Sequence, residues 1–201
     1  MSTAKKESFS YPVIFMIGIS ILLTTILASL NQATFATIKQ QEDTQLRRSI
    51  LYALDVDFNS EEDIDRIFSE NMELVNNNNI SYYEYSVSGE ISAYAFPVEG
   101  KALWGTVDAY AAVNKDVTEL LGVDFIRHSE TPGLGGRISE DWYKEQFRGI
   151  DISGTSPYFI YRPQSGGNID TITGATLTSV SVRDMINSSV DTFKENYEGG
   201  N

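Results

Sequence analysis

Between Glu7 and Lys39 the chain carries no charged residue, and the most apolar part of that interval, residues 11–30, reads YPVIFMIGISILLTTILASL. At 1.5 Å rise per residue, about 20 helical residues cross the ~30 Å hydrocarbon core of a bilayer. Pro12 suits a first-turn position, and Thr24 and Thr25 can bond back onto helix carbonyls. The competing reading, a cleaved signal peptide, has a shorter apolar region of typically ~7–15 residues. A buried core helix is a weaker fit at this length. The pattern predicts a single transmembrane helix over residues 11–31, after a short cytoplasmic segment, 1–10.

Past this run the pattern turns to helix and then to strand. Residues 31–54 keep a helical period, with Phe35, Ile38, Leu46, Ile50 and Leu54 available for one face, and read as a stalk. Ser60 followed by Glu61, Glu62 and Asp63 has the composition of an N-cap, and its helix is expected to reach Val75. Asparagines 76–79 break the pattern as a loop. The aromatic-rich segments 81–87 and 91–96 flank Ser88-Gly89-Glu90 and predict a β-hairpin. The aromatic side chains there need only packing, although a stacked quinone or a sugar would use the same residue types.

Further strands are expected at 108–113, at 120–126 across a turn near 114–116, and at 156–163, where Pro157 falls at the strand's start. A short helix from 139 onward is expected to turn Trp142, Tyr143 and Phe147 inward, and a final helix over 180–197 can bury Val180, Ile186, Val190 and Phe193. Residues 198–201 read as a frayed end. The order predicts an α+β protein: one membrane helix (11–31), a helical stalk and lead-in (32–79), and one domain (80–201) with a mainly antiparallel sheet flanked by helices.

Charge and composition narrow the chemistry. The 201 residues include 28 acidic and 15 basic side chains, a net charge of −13. Such a surface repels phosphate backbones and anionic headgroups, which argues against nucleic acid and against a domain lying flat on a membrane. There is no cysteine, so disulfides, thiolate-ligated iron–sulfur clusters and cysteine nucleophiles are excluded for this chain. A single histidine, His128, leaves little room for a His-based metal site or a Ser-His-Asp triad. Catalysis, if any, has to come from a bound cofactor.

The chemistry-bearing stretch is Asp170-Thr171-Ile172-Thr173-Gly174-Ala175-Thr176-Leu177-Thr178-Ser179, which opens the last helix after a Gly- and Ser-rich loop, 164–168. Gly174 and Ala175 let a ligand approach the backbone, and Thr173, Thr176 and Thr178 line the helix start with hydroxyls. Free N–H groups and a partial positive charge at a helix N-terminus stabilise a phosphate there. An ordinary N-cap would use the same residue types, and local chemistry leaves both readings open. The decad D-x-x-T-G-A-T-L-T-S, however, resembles the flavinylation motif of the FMN-binding domain family. That family includes the C subunit of the sodium-translocating NADH:quinone reductase (Nqr) and the G subunit of the Rnf complex. A second segment, His128-Ser129-Glu130-Thr131-Pro132-Gly133-Leu134-Gly135-Gly136-Arg137-Ile138, is similar to the family's other signature, H-x-E-T-P-G-L-G.

The resemblance spans about residues 100–197, and it implies a covalent FMN on Thr176 through a phosphoester bond. Thr173, Gly174, Ala175, Leu177 and Thr178 would surround the attachment. Glu130, Thr131, Gly133, Leu134 and Gly135 would line the flavin ring, though Glu130 can instead cap N–H groups of its own loop. Trp104, between Gly100 and Gly105, either offers the ring an aromatic face or packs in the core; a comparable Leu-Trp segment precedes the flavin pocket in the Nqr C subunit, which tilts the expectation toward that relative over the Rnf one. His128 is expected to make a structural hydrogen bond. No base adjoins Thr176, so a separate flavin transferase would attach the cofactor, with Asp170 aiding recognition.

By the same resemblance the chain would be an electron-transfer subunit of an Nqr- or Rnf-type ion-pumping complex, a redox subunit beside other membrane subunits and not a complete enzyme. Lys5 and Lys6 before the span and Lys39, Arg47 and Arg48 after it leave orientation open. Kinship implies an extracytoplasmic domain. The alternatives are a stand-alone membrane-anchored flavoprotein and a non-redox anchored binding ectodomain.

Overall fold

The computed structural model describes residues 10–77 and 80–197. The expected N-terminal segment, apart from Ser10, lies outside these residues, as do Asn78 and Asn79 of the expected loop and residues 198–201. The first element is a 44-residue helix, α1, Ser10–Ala53. Among the described residues it is the one helix long and apolar enough to cross a membrane, with a mean hydropathy of 2.5 over its most apolar stretch. Within it the hydroxyls of Thr25, Ser29 and Thr34 donate to carbonyls one turn back at 2.8, 2.8 and 2.9 Å. These polar side chains are thus satisfied by the helix itself, as an apolar surrounding requires.

The chain divides between Asp43 and Thr44 into two compact units. The second starts well before the expected domain boundary at residue 80. It holds the last turns of α1, the helix α2 (Glu61–Asn71), a six-stranded sheet, a single-turn helix α3 (Asp141–Lys144) and the long helix α4 (Thr176–Asn196). The strands β1 (Met72–Asn76), β2 (Ser81–Val87), β3 (Glu90–Lys101), β4 (Thr106–Asn114), β5 (Glu119–Arg127) and β6 (Ile150–Asp151) lie side by side in chain order. Every neighbouring pair is antiparallel. The β2–β3 turn holds Ser88 and Gly89 at φ 55° and 83°, the doubly positive geometry that matches hairpin twist.

Alternation along β3 explains why the sheet is covered twice. Ala93 and Ala95 share a cluster with Ile50, Leu51, Ala53, Leu54 and Ile64, from the end of α1 and from α2. Tyr94, Phe96 and Val98 belong to the main core with Val182, Ile186, Val190 and Phe193 of α4. Successive side chains of a strand point to opposite faces, so small residues admit the α1 end on one side while large ones fill the space under α4 on the other. Phe96 and Phe193 stack at 4.4 Å between centroids.

Further expectations change: α4 starts at Thr176, four residues before the expected 180, and Val180 is only half-buried. Ser60 does cap α2, accepting from the Asp63 amide at 3.1 Å, but the helix ends at Asn71, and Met72–Asn76 becomes β1 because β2 offers it a full antiparallel edge. Trp142 is 40% exposed, whereas Tyr143 and Phe147 are fully buried; the indole sits under the Arg137 guanidinium and donates to Glu140. The segment 156–163 is buried in its middle but is not a strand. Three of its amides bond to side chains, Tyr158 and Phe159 to Asn187 and Ile160 to Asn168, while Arg162 donates to the Ile169 carbonyl beside a lone bridge between Tyr161 and Ile169. The sheet's last strand is the two-residue β6.

Candidate functional site

At the mouth of α4 the sequence leaves a side-chain cap and an open anion site as alternatives, and the structure has no such cap. Ala175 is the N-cap residue and no side chain caps the helix. Ser179, which could have turned outward, faces in: its hydroxyl accepts from the Ile172 amide and donates to the Ala175 carbonyl, both at 3.0 Å. Beneath it the Tyr143 and Tyr161 hydroxyls meet at 2.9 Å, and Tyr161 donates to the Ser179 carbonyl at 2.6 Å. Burial pushes both phenols up, Tyr161 to about 12 and Tyr143 well above the ordinary tyrosine value, so both are neutral hydrogen-bonding groups at neutral pH. This floor holds the first turn rigidly.

The side chains of the motif divide by face. Ile172 and Ala175 are buried; Thr173, Gly174, Thr176 and Leu177 are exposed, Leu177 to 65%. Among the described residues the Thr176 hydroxyl has no hydrogen-bond partner, nor do the amides of Thr176, Leu177 and Thr178. An open row of N–H groups beside a free hydroxyl is a site for an anion. Thr178 is different: it is 1% exposed and its hydroxyl donates to Glu130 Oε2 at 2.6 Å.

The loop after β5 reaches the same place. Glu130 is 5% exposed, and its other oxygen accepts from the Trp104 amide at 2.8 Å. Its carboxylate therefore caps a neighbouring turn, neither facing outward nor serving its own loop. The Glu130 amide in turn donates to His128 Nδ1 at 3.3 Å, and His128 Nε2 meets Ser139 Oγ at 3.0 Å, so the histidine is structural. Gly135 is buried, and a Cβ there would stand 2.6 Å from both Glu130 Oε2 and Thr178 Oγ1. Thr131, Gly133 and Leu134 are exposed. Gly174, at φ 80°, packs so closely that a Cβ would lie 3.3 Å from Leu134 Cδ2.

Trp104 is 66% exposed and is no core residue; Leu103, Leu134 and Leu177 are exposed with it. The structure thus joins the Trp104 turn, the Glu130 loop and the α4 mouth. It places Thr173, Gly174, Thr176, Leu177, Trp104, Thr131, Gly133 and Leu134 outward, and Ala175, Thr178, Glu130 and Gly135 behind them. Two clamps are not apparent from the motifs. Arg162 grips Asp170 through two hydrogen bonds at 2.7 and 2.9 Å, and Gln146 Oε1 accepts from the Asp170 amide at 2.7 Å. An arginine eight residues before the motif's aspartate is the one signal of them in the sequence.

A small antiparallel domain that gathers exposed apolar side chains around an uncapped, threonine-bearing helix mouth is suited to a planar group with an anionic tail. Residues 102–191 match the FMN-binding domain family. The G subunit of the ion-translocating oxidoreductase complex of Shewanella piezotolerans is 30% identical over 79% of this chain and 77% of its own length. The G subunit of the sodium-translocating ferredoxin:NAD+ oxidoreductase complex of Acetobacterium woodii is 28% identical over 96% and 98%. A solved structure, the C subunit of the sodium-translocating NADH-quinone reductase of Parabacteroides distasonis, superposes with a TM-score of 0.70 at 26% identity, over 82% of this chain and 97% of that one. Other relatives are matched over shorter shares of their own length, 57% for a G subunit from Methanosarcina acetivorans and 40–44% for several C subunits. The chain belongs to the FMN-binding domain family.

Proposed function

We propose that this chain is the flavin-carrying electron-transfer subunit of a membrane ion-pumping redox complex, with FMN joined to Thr176 by a phosphoester bond. The observation that carries the reading is the α4 mouth: a free Thr176 hydroxyl beside three unpartnered amides, where an ordinary helix would carry a cap. Bound there, FMN would supply reversible electron storage. The amides of Thr176, Leu177 and Thr178 share the phosphate charge. Thr173, Gly174 and Leu177 flank the attachment, while Trp104, Thr131, Gly133 and Leu134 present the contacts for the ring. A flavin transferase would make the bond from a flavin pyrophosphate donor: the Thr176 oxygen, losing its proton, would join the flavin-side phosphorus as the pyrophosphate P–O bond breaks, and the second phosphate would leave with its nucleotide and the proton.

The membrane span is residues 11–31, and the domain faces the extracytoplasmic side, as in the family this chain resembles. The partners are the other membrane subunits of the complex. The parent complex is of the Nqr or Rnf type, the two kinds of complex whose C and G subunits this chain resembles. The chain acts as one redox member of a translocase and not as an enzyme alone.

The test is the intact mass of the full chain purified from membranes, with flavin fluorescence after denaturing electrophoresis. Mature protein should weigh one FMN, less water, above its polypeptide, and Thr176→Val should be folded and colourless. A wild-type chain of bare polypeptide mass, or a Thr176→Val chain that keeps its label, overturns the assignment.

A further inference from the structure

Among the described residues Glu130 is the one acidic side chain that is fully buried, at 5% exposure, and both its oxygens are engaged by other segments. Oε1 takes the amide of Trp104, in the turn between β3 and β4, and Oε2 takes the hydroxyl of Thr178, in the first turn of α4. A carboxylate out of water is tolerated only when donors satisfy it, so removing either partner leaves a costly group. Its place is prepared by Gly135, where any Cβ would collide with both Glu130 and Thr178.

We propose that Glu130 is a positioning residue of the flavin site, one that never touches the cofactor. The inference rests on the function proposed above. Residues on a helix turn about 100° each, so Thr176 and Thr178 point about 200° apart around α4. Anchoring Thr178 inward therefore fixes the rotation at which Thr176 faces outward. The same carboxylate fixes the Trp104 turn through its backbone, which aims an indole that has little packing of its own. One buried group thus sets the spacing between the attachment hydroxyl and the aromatic contact, and a cofactor tethered at one must reach the other. It also withdraws the neighbouring threonine hydroxyl from the transferase.

The test uses the full chain in membranes, made first without the transferase and then with it. The readouts are amide hydrogen exchange at Trp104 and the unfolding midpoint in the flavin-free chain, and the rate of covalent flavin appearance once the transferase is induced. Thr178→Val, which keeps the side chain's shape and does not touch the Trp104 bond, is expected to slow attachment by at least about tenfold, the equivalent of one charge-assisted hydrogen bond. Glu130→Ala is expected to do the same and also to speed exchange at Trp104. Glu130→Gln keeps the length and can bond both partners, through its carbonyl to Trp104 and its amide to Thr178, so it should restore attachment and protection together.

Wild-type rates in both Thr178→Val and Glu130→Ala overturn the proposal, as does Glu130→Gln behaving like Glu130→Ala in a folded chain. Should Glu130→Ala not fold, Thr178→Val and Glu130→Gln decide alone. A wild-type chain that never gains flavin would instead count against the function, which separates the two failures.

Discussion

Asn187 Oδ1 accepts from the backbone amides of both Tyr158 and Phe159, at 2.8 and 3.2 Å, from a side chain only 7% exposed. One helix side chain thus does for this segment what a neighbouring strand does elsewhere in the sheet, while Nδ2 returns a bond to the Phe159 carbonyl. Asn187→Leu should leave two buried amides unpaired and cost roughly 2–4 kcal/mol. Asn187→Asp retains the acceptor and should cost less. Urea unfolding of the detergent-solubilised chain, followed by aromatic fluorescence, reads both.

The buried phenols predict an alkaline limit. Burial pushes Tyr161 up to about 12 and Tyr143 well above the ordinary value of 10. For such a group the unfolded chain loses its proton first, so its contribution is complete below pH 10 and is lost as pH rises from there towards the folded value. Each of these phenols lowers stability by up to about 1.4 kcal/mol per pH unit in that window. Tyr161→Phe should flatten the decline above pH 10 even though it loses a hydrogen bond at neutral pH. Unfolding midpoints across pH 8–12, with phenolate absorbance, check this; an unchanged slope would speak against it.

Elements ruled by local pattern are legible in the amino-acid order alone. The apolar run of α1, the Ser60 cap, the turn at Ser88 and Gly89 and the amphipathic α4 all follow from spacing within a few residues. The features that are not legible depend on distant partners. Residues 156–163 have strand composition, yet Asn187 and Asn168 satisfy the amides of Tyr158, Phe159 and Ile160, and no periodicity reveals that. Met72–Asn76 reads as the tail of a helix until β2 is present to pair with it. Of the candidate site, the two signature segments are legible as motifs, but which side chains turn inward is not. Glu130 looks like a ring contact until Trp104, 26 residues earlier, and Thr178, 48 later, are seen to hold it.

Arg148 joins the end of α1 to the sheet. Its guanidinium donates to the carbonyls of Tyr52 at 2.8 Å and Leu121 at 2.9 Å, pairs with Glu145 at 2.8 Å and lies over the Tyr52 ring. A cation beside the last carbonyls of a helix also meets the negative end of its dipole. Arg148→Met should destabilise the domain by roughly 1–3 kcal/mol, since Glu145 and two carbonyls lose a shared donor. Arg148→Lys should recover little of that, because a point charge cannot make the forked contacts. The same urea titration distinguishes the three chains.

The Arg162–Asp170 fork separates two roles for the first residue of the flavin motif. Both side chains are about half exposed, so the pair should contribute no more than ~1 kcal/mol to stability. Its geometry matters more than its energy: the fork closes the loop 162–170, and Gln146 pins the Asp170 amide, so the pair sets where the chain enters the α4 mouth. If Asp170 works through this clasp, Arg162→Ala and Asp170→Ala should both lower covalent flavin per chain with little change in unfolding midpoint. Exchanging the two residues, Arg162→Asp with Asp170→Arg, should then restore labelling, since the opposite charges still meet. If instead the carboxylate at position 170 is read directly by the transferase, Arg162→Ala should label normally and the exchanged chain should stay unlabelled. Intact mass of the four chains, each expressed with the transferase, decides between them, and the clasp predicts recovery in the double variant.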